Sequence, residues 1–328
     1  MNNIWGDMSQ YDGITWHWVI AVYLFMAGLS AGSLLMGIGL RWFRGQTQGA
    51  GQSLGESAVL KAAALIAPIA ICLGMLCLVF DLTKPFHFWL ILINYNLSSV
   101  MSIGVIALLA YIPLTFAYAL VVLKDELPKW GLGFLGGLAD GLGKLRGMLE
   151  GALFVLSLVV GAYTGFLISA MNAYPMLNTA VLPALFLGSG LSAGAAANSL
   201  LAVLMFGGDK YGSQASGDHS GGSSGDLERQ HAFELPVMGM EMLFLFMLFT
   251  ALYFKGGAAA AALASLTGGV WAAVFWIGVV AIGFGVPLLL RFTGKHGRSA
   301  MVTAACASLI GVLALRHFIL YAGQSYLS

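Results

Sequence analysis

Hydrophobic residues dominate the sequence in long blocks that are separated by short polar segments. Eight blocks reach the roughly 20 residues that an α-helix needs to cross the hydrocarbon core of a bilayer. Because lipid offers no hydrogen bonds to an open backbone, such blocks form helices. The predicted spans are His17 to Leu40, Ser57 to Phe80, Ser99 to Val122, Met148 to Met171, Ala180 to Met205, Leu235 to Phe254, Val270 to Leu290 and Ser299 to Leu320.

Composition supports a membrane protein. Of 328 residues, 59% are hydrophobic and 9% are charged, whereas soluble domains carry roughly 25% charge. The mean hydropathy is +0.88, and 44 glycines are present, which is typical of transmembrane helices that pack closely. The predicted fold class is therefore all-α, a polytopic membrane protein with about eight transmembrane helices.

The charge distribution predicts the orientation. Most of the 15 lysines and arginines lie in the loops that follow the odd-numbered spans; the opposite loops hold Lys84 and Lys255, and Arg316 lies inside a span. Cationic loops favour the cytoplasm. The sequence thus predicts that both termini face away from the cytoplasm, toward the periplasm if the host is a bacterium.

A short repeat divides the spans into two groups. The pentapeptide Gly-Leu-Ser-Ala-Gly occurs at 28–32 in the first span and again at 190–194 in the fifth. This predicts two four-helix bundles related as a parallel repeat, with residues 17–122 and 148–171 in the first half and 180–320 in the second. The alternative is two unrelated small-residue packing stripes. Residues 207–233, rich in glycine and serine, are predicted to form a flexible cytoplasmic linker.

Polar residues cluster at the outer ends of four spans. Ionisable groups at membrane depth are expensive, so each is a functional candidate. A quinone headgroup needs donors such as His, Tyr or Lys, and quinol oxidation releases two protons, of which Asp81 could accept one. A structural ion pair of Asp81 with Lys84 or Arg316, and an interfacial belt around His17, are the alternatives. The outer-layer candidates are His17, Tyr23, Asp81, Lys84, Tyr163, Arg316 and His317.

A second set of carboxylates lies in the inner half. Glu234 and Glu241 are seven residues apart, two turns along one face of the sixth span, which suggests a path for protons, although Glu234 could be interfacial. Glu150, near the start of the fourth span, is interpreted as interfacial.

The sequence gives little support for a bound haem or iron-sulfur cluster. Only His17 and His317 lie near the membrane interior, so a haem b needs that one pair. Cys72, Cys77 and Cys306 lie in apolar runs without a C-x-x-C pair. No metal site is predicted.

Several motifs together resemble the NrfD/PsrC family, and their order along an eight-span chain is more specific than any one of them. They cover spans one to five, whereas the later spans match in number and length. The motifs are Trp16-His17-Trp18, Tyr23-Leu24-Phe25, Gly28 to Gly32, Asp81-Leu82-Thr83-Lys84-Pro85, Phe88-Trp89, Ser99 to Ser102, Tyr163-Thr164-Gly165, Leu185-Phe186 and Ser189 to Gly194.

The resemblance implies an integral membrane subunit of a respiratory oxidoreductase that interacts with menaquinol or ubiquinol and has no haem or iron-sulfur cluster of its own. It implies a ferredoxin-like iron-sulfur partner at the periplasmic face of a bacterial inner membrane. That partner passes electrons to a molybdopterin catalytic subunit or a multihaem cytochrome c, with the polysulfide or thiosulfate reductase type favoured.

Within the family's quinone site, Tyr163 matches a tyrosine of the fourth span. Tyr23 stands where the polysulfide reductase pattern has a histidine, and Ile20 replaces a nearby asparagine, so His17 is a candidate to take over the donor role. A secondary transporter and a haem b quinol subunit are the competing classes. The terminal acceptor and the direction of electron flow stay open.

Overall fold

The computed structural model describes residues 16–48, 57–81, 99–171, 174, 176–206, 223–257, 259, 262–293 and 297–325. Every regular element in these ranges is helical. The longer ones are α1 (Trp18–Gln48), α2 (Ala58–Asp81), α3 (Val100–Val122), α4 (Gly136–Gly143), α5 (Arg146–Ser169), α6 (Leu182–Met205), α7 (Ser223–Lys255), α8 (Gly269–Phe292) and α9 (Arg298–Ser325).

Eight of the described helices, all except α4, are long and apolar enough to cross a membrane. This confirms the predicted all-α polytopic fold, with α5 to α9 as spans four to eight. One end of the bundle, which we call the terminal face, holds the start of α1 and the end of α9. The other end, the cationic face, holds the end of α1, the start of α2 and the segment between α3 and α5. There Lys61 Nζ lies 2.9 Å from Glu126 Oε1 and Arg41 Nε lies 3.0 Å from Glu150 Oε1.

Helices α1 and α6 form the centre of the bundle. In their most apolar stretches 72% and 67% of residues are buried, against 17% in α8. Helix α1 packs on α2, α5, α6 and α9, and one apolar core runs through all eight spans. Because that core is continuous, the two predicted halves meet along α1 and α6; their origin as a repeat stays a prediction.

The repeated pentapeptides contact each other at this crossing. A Cβ on Gly32 would overlap the Gly190 carbonyl, a Cβ on Gly194 would overlap the Gly32 backbone, and a Cβ on Gly190 would lie 3.0 Å from Gly28 O. The backbones of α1 and α6 touch here, so larger residues at these glycine positions would hold the two helices apart. The repeat is therefore a packing motif used from both sides of one contact.

Helix α7 starts earlier than the hydrophobic pattern indicates. It begins at Ser223, within the predicted linker 207–233, of which 207–222 lies outside the described residues. The extra turns have a packing reason, because Leu227 and Gln230 are buried and Gln230 Nε2 donates to Ala195 O at 2.5 Å. Side chains that bury against α6 make a helix out of a segment whose composition resembles a linker.

Helix α8 contains a long π-helical stretch, Val274–Gly285. Its main neighbour is α9, where Gly283 and Gly311 bring the two backbones together. Helix α8 lies at the periphery of the bundle, and most of its surface is available to lipid.

Candidate functional site

Tyr23 and Tyr163 lie at the same depth below the terminal face. Tyr23 is the sixth residue of α1, and Tyr163 lies six residues before the end of α5, so each is about 8 Å along its helix. Tyr23 is 1% exposed and Tyr163 is 7% exposed, and the two phenol groups lie near enough that their charges would repel each other if both were ionised. The fold thus brings two of the predicted residues together.

The rings of Tyr23 and Tyr163 each pack against a glycine of a neighbouring helix. The Tyr163 ring occupies the space where a Cβ on Gly104 of α3 would be, and Tyr23 Cδ2 lies 3.5 Å from the Cβ position of Gly74 on α2. Sequence reasoning missed both glycines, because a glycine in an apolar span carries no sign of which side chain will lie against it. Helices α1, α2, α3 and α5 therefore build one site, with two phenol groups that can donate or accept hydrogen bonds.

Asp81 and His17 lie at the terminal face itself. Asp81 is the last residue of α2 and is partly exposed, and His17 is exposed just before α1. The neighbouring Trp16 is tied to α9, because its N–H donates to Gln324 Oε1 at 2.9 Å and its carbonyl accepts from Gln324 Nε2 at 3.3 Å. Lys84 lies outside the described residues.

Arg316 lies among helices rather than at the surface. It is fully buried, Nη2 donates to Phe186 O at 2.9 Å, and the guanidinium carbon lies 3.7 Å from the centre of the Phe186 ring. Its charge acts on Glu241, which is 2% exposed and lies near Ser192. The predicted outer-layer cation and the predicted deep carboxylate thus lie in one region of the core, near enough for their charges to attract each other. His317 Nδ1 lies 2.9 Å from Leu313 O of its own helix.

The equivalent serines of the two pentapeptides each lie beside a polar side chain. In the first, Ser30 Oγ donates to Ala67 O at 2.8 Å and lies 3.0 Å from the Tyr111 hydroxyl. In the second, Ser192 lies near Glu241. Sequence reasoning treated these serines as small packing residues and missed Tyr111, although a hydroxyl in a buried stripe needs a partner.

Glu150 is the centre of a polar cluster at the cationic face. It is 4% exposed, and its carboxylate accepts from Arg41 Nε at 3.0 Å, Arg146 Nε at 2.9 Å, Trp42 Nε1 at 3.2 Å and the Tyr118 hydroxyl at 3.2 Å. These contacts join α1, α3 and α5. Glu150 therefore ties α1, α3 and α5 together at the cationic face, near the start of α5.

Glu234 lies beside a cavity at the same face. Its Oε2 is 2.7 Å from His231 Nδ1, and its Oε1 accepts from Ser199 Oγ at 3.3 Å. Both side chains are about a quarter exposed, 24% for His231 and 25% for Glu234. Glu234 and Glu241 therefore differ in environment, one at a cavity and one in the core.

Metal-ligating residues do not cluster within the described ranges. No group of three or more His, Cys, Asp or Glu there is placed to hold a metal ion. The three cysteines are free and partly exposed.

Fold and polar layers together define the class: an all-helical, multi-pass membrane protein with a tyrosine site below one face. The family model described as polysulphide reductase, NrfD, matches residues 6–328. The sequence is 44% identical to the C subunit of the polysulfide reductase of Wolinella succinogenes, over 99% of both proteins. It is 39% identical to "Protein NrfD" of Escherichia coli, over 96% of both. The chain belongs to the NrfD family.

Proposed function

We propose that this chain is the membrane subunit of a respiratory oxidoreductase and oxidises menaquinol or ubiquinol below its terminal face. The same site can reduce a quinone when the potentials on the two sides are reversed. The 44% identity to a subunit of polysulfide reductase favours a complex of the polysulfide or thiosulfate reductase type.

The observation that carries the proposal is the pair of buried phenols, Tyr23 and Tyr163, on separate helices at one depth. A quinol is a flat ring with two hydroxyl groups, and it becomes a quinone with two carbonyl oxygens. A phenol hydroxyl can accept from the first and donate to the second, so the pair suits both states. His17 is a further donor at the entrance.

Proton release fits the position of Asp81. Quinol oxidation yields one quinone, two electrons and two protons. The carboxylate of Asp81 ends α2 at the terminal face, where it takes one proton and releases it to water. Lys84 and Arg316 are further candidates for contact with the headgroup; Lys84 lies outside the described residues, and Arg316 is buried against Phe186.

Electrons leave to a partner. The proposed partner is a ferredoxin-like iron-sulfur subunit docked on the terminal face, which passes electrons to a molybdopterin catalytic subunit or a multihaem cytochrome c. A site about 8 Å below the helix ends keeps that transfer short. A site at the cationic face would place the whole membrane between quinol and partner.

The charge distribution supports the orientation. We place the chain in the bacterial inner membrane with the cationic face in the cytoplasm and both termini in the periplasm, because cationic loops are retained in the cytoplasm. The iron-sulfur partner is then periplasmic.

Gly104 offers a sharp test of the site. Gly104→Ala pushes the Tyr163 ring out of place, because the new methyl group would overlap it. Gly151→Ala on α5 is the matched control, since nothing lies within 4 Å of its Cβ position. We expect quinol oxidation by membranes that hold the whole complex to fall at least about tenfold in Gly104→Ala, which corresponds to roughly 1.4 kcal/mol of barrier, and to be unchanged in Gly151→Ala.

Tyr163→Phe separates chemistry from folding, because it removes one hydroxyl and keeps the ring. Its complex should assemble in normal amount and lose a similar part of the quinol oxidation rate. Full activity in both Gly104→Ala and Tyr163→Phe contradicts the proposed site.

A further inference from the structure

A groove crosses the cationic face where α4 packs against the end of α3. It has a volume of about 410 Å³ and is lined by residues of α3, α4 and the start of α5. Its charged lining residues are Lys124, Asp125, Asp140, Lys144 and Arg146. The groove therefore presents three cations and two carboxylates, at the end of the bundle opposite the tyrosine site.

Both carboxylates of the groove act on the same cation. Lys124 Nζ forms an ion pair with Asp140 Oδ1, and this contact joins α4 to the end of α3. The charge of Asp125 acts on the same ammonium group. Lys124 is therefore balanced by negative charge, and this end of the groove has little attraction for a further anion.

The other end of the groove has more positive than negative charge. Lys144 is exposed and has no ion-pair partner among the described residues. Arg146 Nε lies 2.9 Å from Glu150 Oε1, and Arg41 Nε lies 3.0 Å from the same oxygen. Two guanidinium groups thus share one carboxylate beside a lysine without a countercharge, so this end of the groove attracts an anion.

Large apolar side chains are exposed next to these cations. Leu138, Leu145 and Met148 each lie within two residues of a lining residue and are more than half exposed. At a membrane interface such side chains enter the acyl region, while neighbouring lysines and arginines stay at the level of the headgroups. A ligand that joins a negative headgroup to hydrocarbon chains matches both parts of this surface, whereas a free anion matches the cations alone.

We propose that the groove binds an anionic phospholipid of the phosphatidylglycerol type from the leaflet at the cationic face. Its phosphate lies between Lys144 and Arg146, and its acyl chains lie along Leu145 and Met148. The glycerol headgroup is neutral beyond the phosphate, whereas the ammonium group of phosphatidylethanolamine would add a positive charge beside these cations. The lipid bridges α4 and the start of α5, and its binding needs no quinol.

The charge of the headgroup is tested by native mass spectrometry of the full chain, purified in a mild detergent and freed of lipid. The probes are phosphatidylglycerol and phosphatidylethanolamine with identical acyl chains. One cation near a charged lipid contributes about a fivefold change in affinity. We expect the first phosphatidylglycerol to bind more tightly than the first phosphatidylethanolamine by at least this factor, and its affinity to fall by about this factor in Lys144→Gln. Lys129→Gln is the matched control, because Lys129 is exposed but does not line the groove.

The shape of the groove is tested with Gly143→Phe. Gly143 lines the groove, and nothing lies within 4 Å of its Cβ position, so the added ring fills the space without displacing protein atoms. The affinity for phosphatidylglycerol should fall at least about tenfold, which corresponds to roughly 1.4 kcal/mol. Gly141→Phe is the control on the same helix, since its Cβ position is equally open and lies outside the groove lining; it should bind like the original chain.

Equal affinities of the original chain for the two lipids overturn the proposal. Equal losses in Lys144→Gln and Lys129→Gln do so as well, because they would show attraction by the overall charge of the face. Displacement of phosphatidylglycerol by an excess of glycerophosphate, which carries the phosphate without acyl chains, would show a site for a free anion instead of a lipid.

Discussion

The two copies of the pentapeptide, one on α1 and one on α6, lie beside different kinds of polar side chain. In α1, Ser30 meets the Tyr111 hydroxyl. In α6, Ser192 lies near Glu241, on which the charge of Arg316 acts. The shared motif fixes how closely α1 and α6 pack, and the residues around each copy decide whether its neighbours are hydroxyl or charged groups.

The largest loss of stability is expected from a substitution at the contact between α1 and α6. Gly32→Ala places a methyl group against the backbone of α6. Backbone atoms cannot move aside by changing rotamer, so the two helices would have to separate. The cost should exceed the roughly 1–3 kcal/mol of ordinary overpacking. Thermal unfolding in detergent measures it, with Gly39→Ala on the same helix as control, because nothing lies within 4 Å of that Cβ position. Equal stability of the two variants would show that α1 and α6 do not pack at these glycines.

Loss of the charge on Glu241 should have the next largest effect. Glu241→Gln removes the countercharge that acts on the buried Arg316, and breaking a directly bonded buried pair costs about 3–5 kcal/mol. Because these two groups act on each other over a longer distance than a salt bridge, we expect a loss below that range. Arg316→Met and the double variant complete a cycle, measured by the same unfolding assay. Additive effects in the cycle would contradict the pairing.

The neutral contact of the first half should cost less. Tyr111→Phe removes one hydroxyl, but Ser30 keeps its bond to Ala67 O, so the loss should be about 1 kcal/mol. Tyr253→Phe is the control, since Tyr253 is 68% exposed and should show no change. A loss as large as that of Glu241→Gln would remove the contrast between the halves.

The smallest effect is expected outside the membrane, at the cationic face of the first half. Lys129 and then Lys61 hold the pKa of Glu126 below its ordinary value, so the stabilisation is present above the unfolded pKa and is lost as the pH falls through the folded one. Because surface pairs contribute little, Glu126→Gln should cost under about 1 kcal/mol at neutral pH and nothing in acid. Unfolding at two pH values checks this, and an equal difference at both would contradict it.

The sequence could predict what depends on local pattern. Eight apolar blocks were enough for eight spans, because length and hydropathy decide membrane insertion. The start of α7 was missed, since Gln230 is helical through its contact with Ala195, which no local pattern shows. The family resemblance is confirmed by the match over residues 6–328. It indicated the class of protein, whereas periodicity indicated only the spans.

The sequence could not predict which side chains of different helices contact each other. Counting residues from the span ends placed Arg316 in the outer layer, but helix rotation decides its neighbours and turns it toward Phe186 and Glu241. The sequence predicted Tyr163 as a site residue, but not the packing of its ring against Gly104. Depth along a helix can be counted in the sequence, whereas the direction in which a side chain points requires the packed bundle.

The most direct test of the tyrosine site is photolabelling of the whole complex with a quinone analogue that carries a photoreactive group on its ring, followed by mapping of the labelled peptides. We expect label on α1 around Tyr23 and on α5 around Tyr163, displaced by excess quinol and lost in Gly104→Ala. Label confined to α7 and α9 around the cavity beside Glu234, or unaffected by quinol, would contradict the tyrosine site.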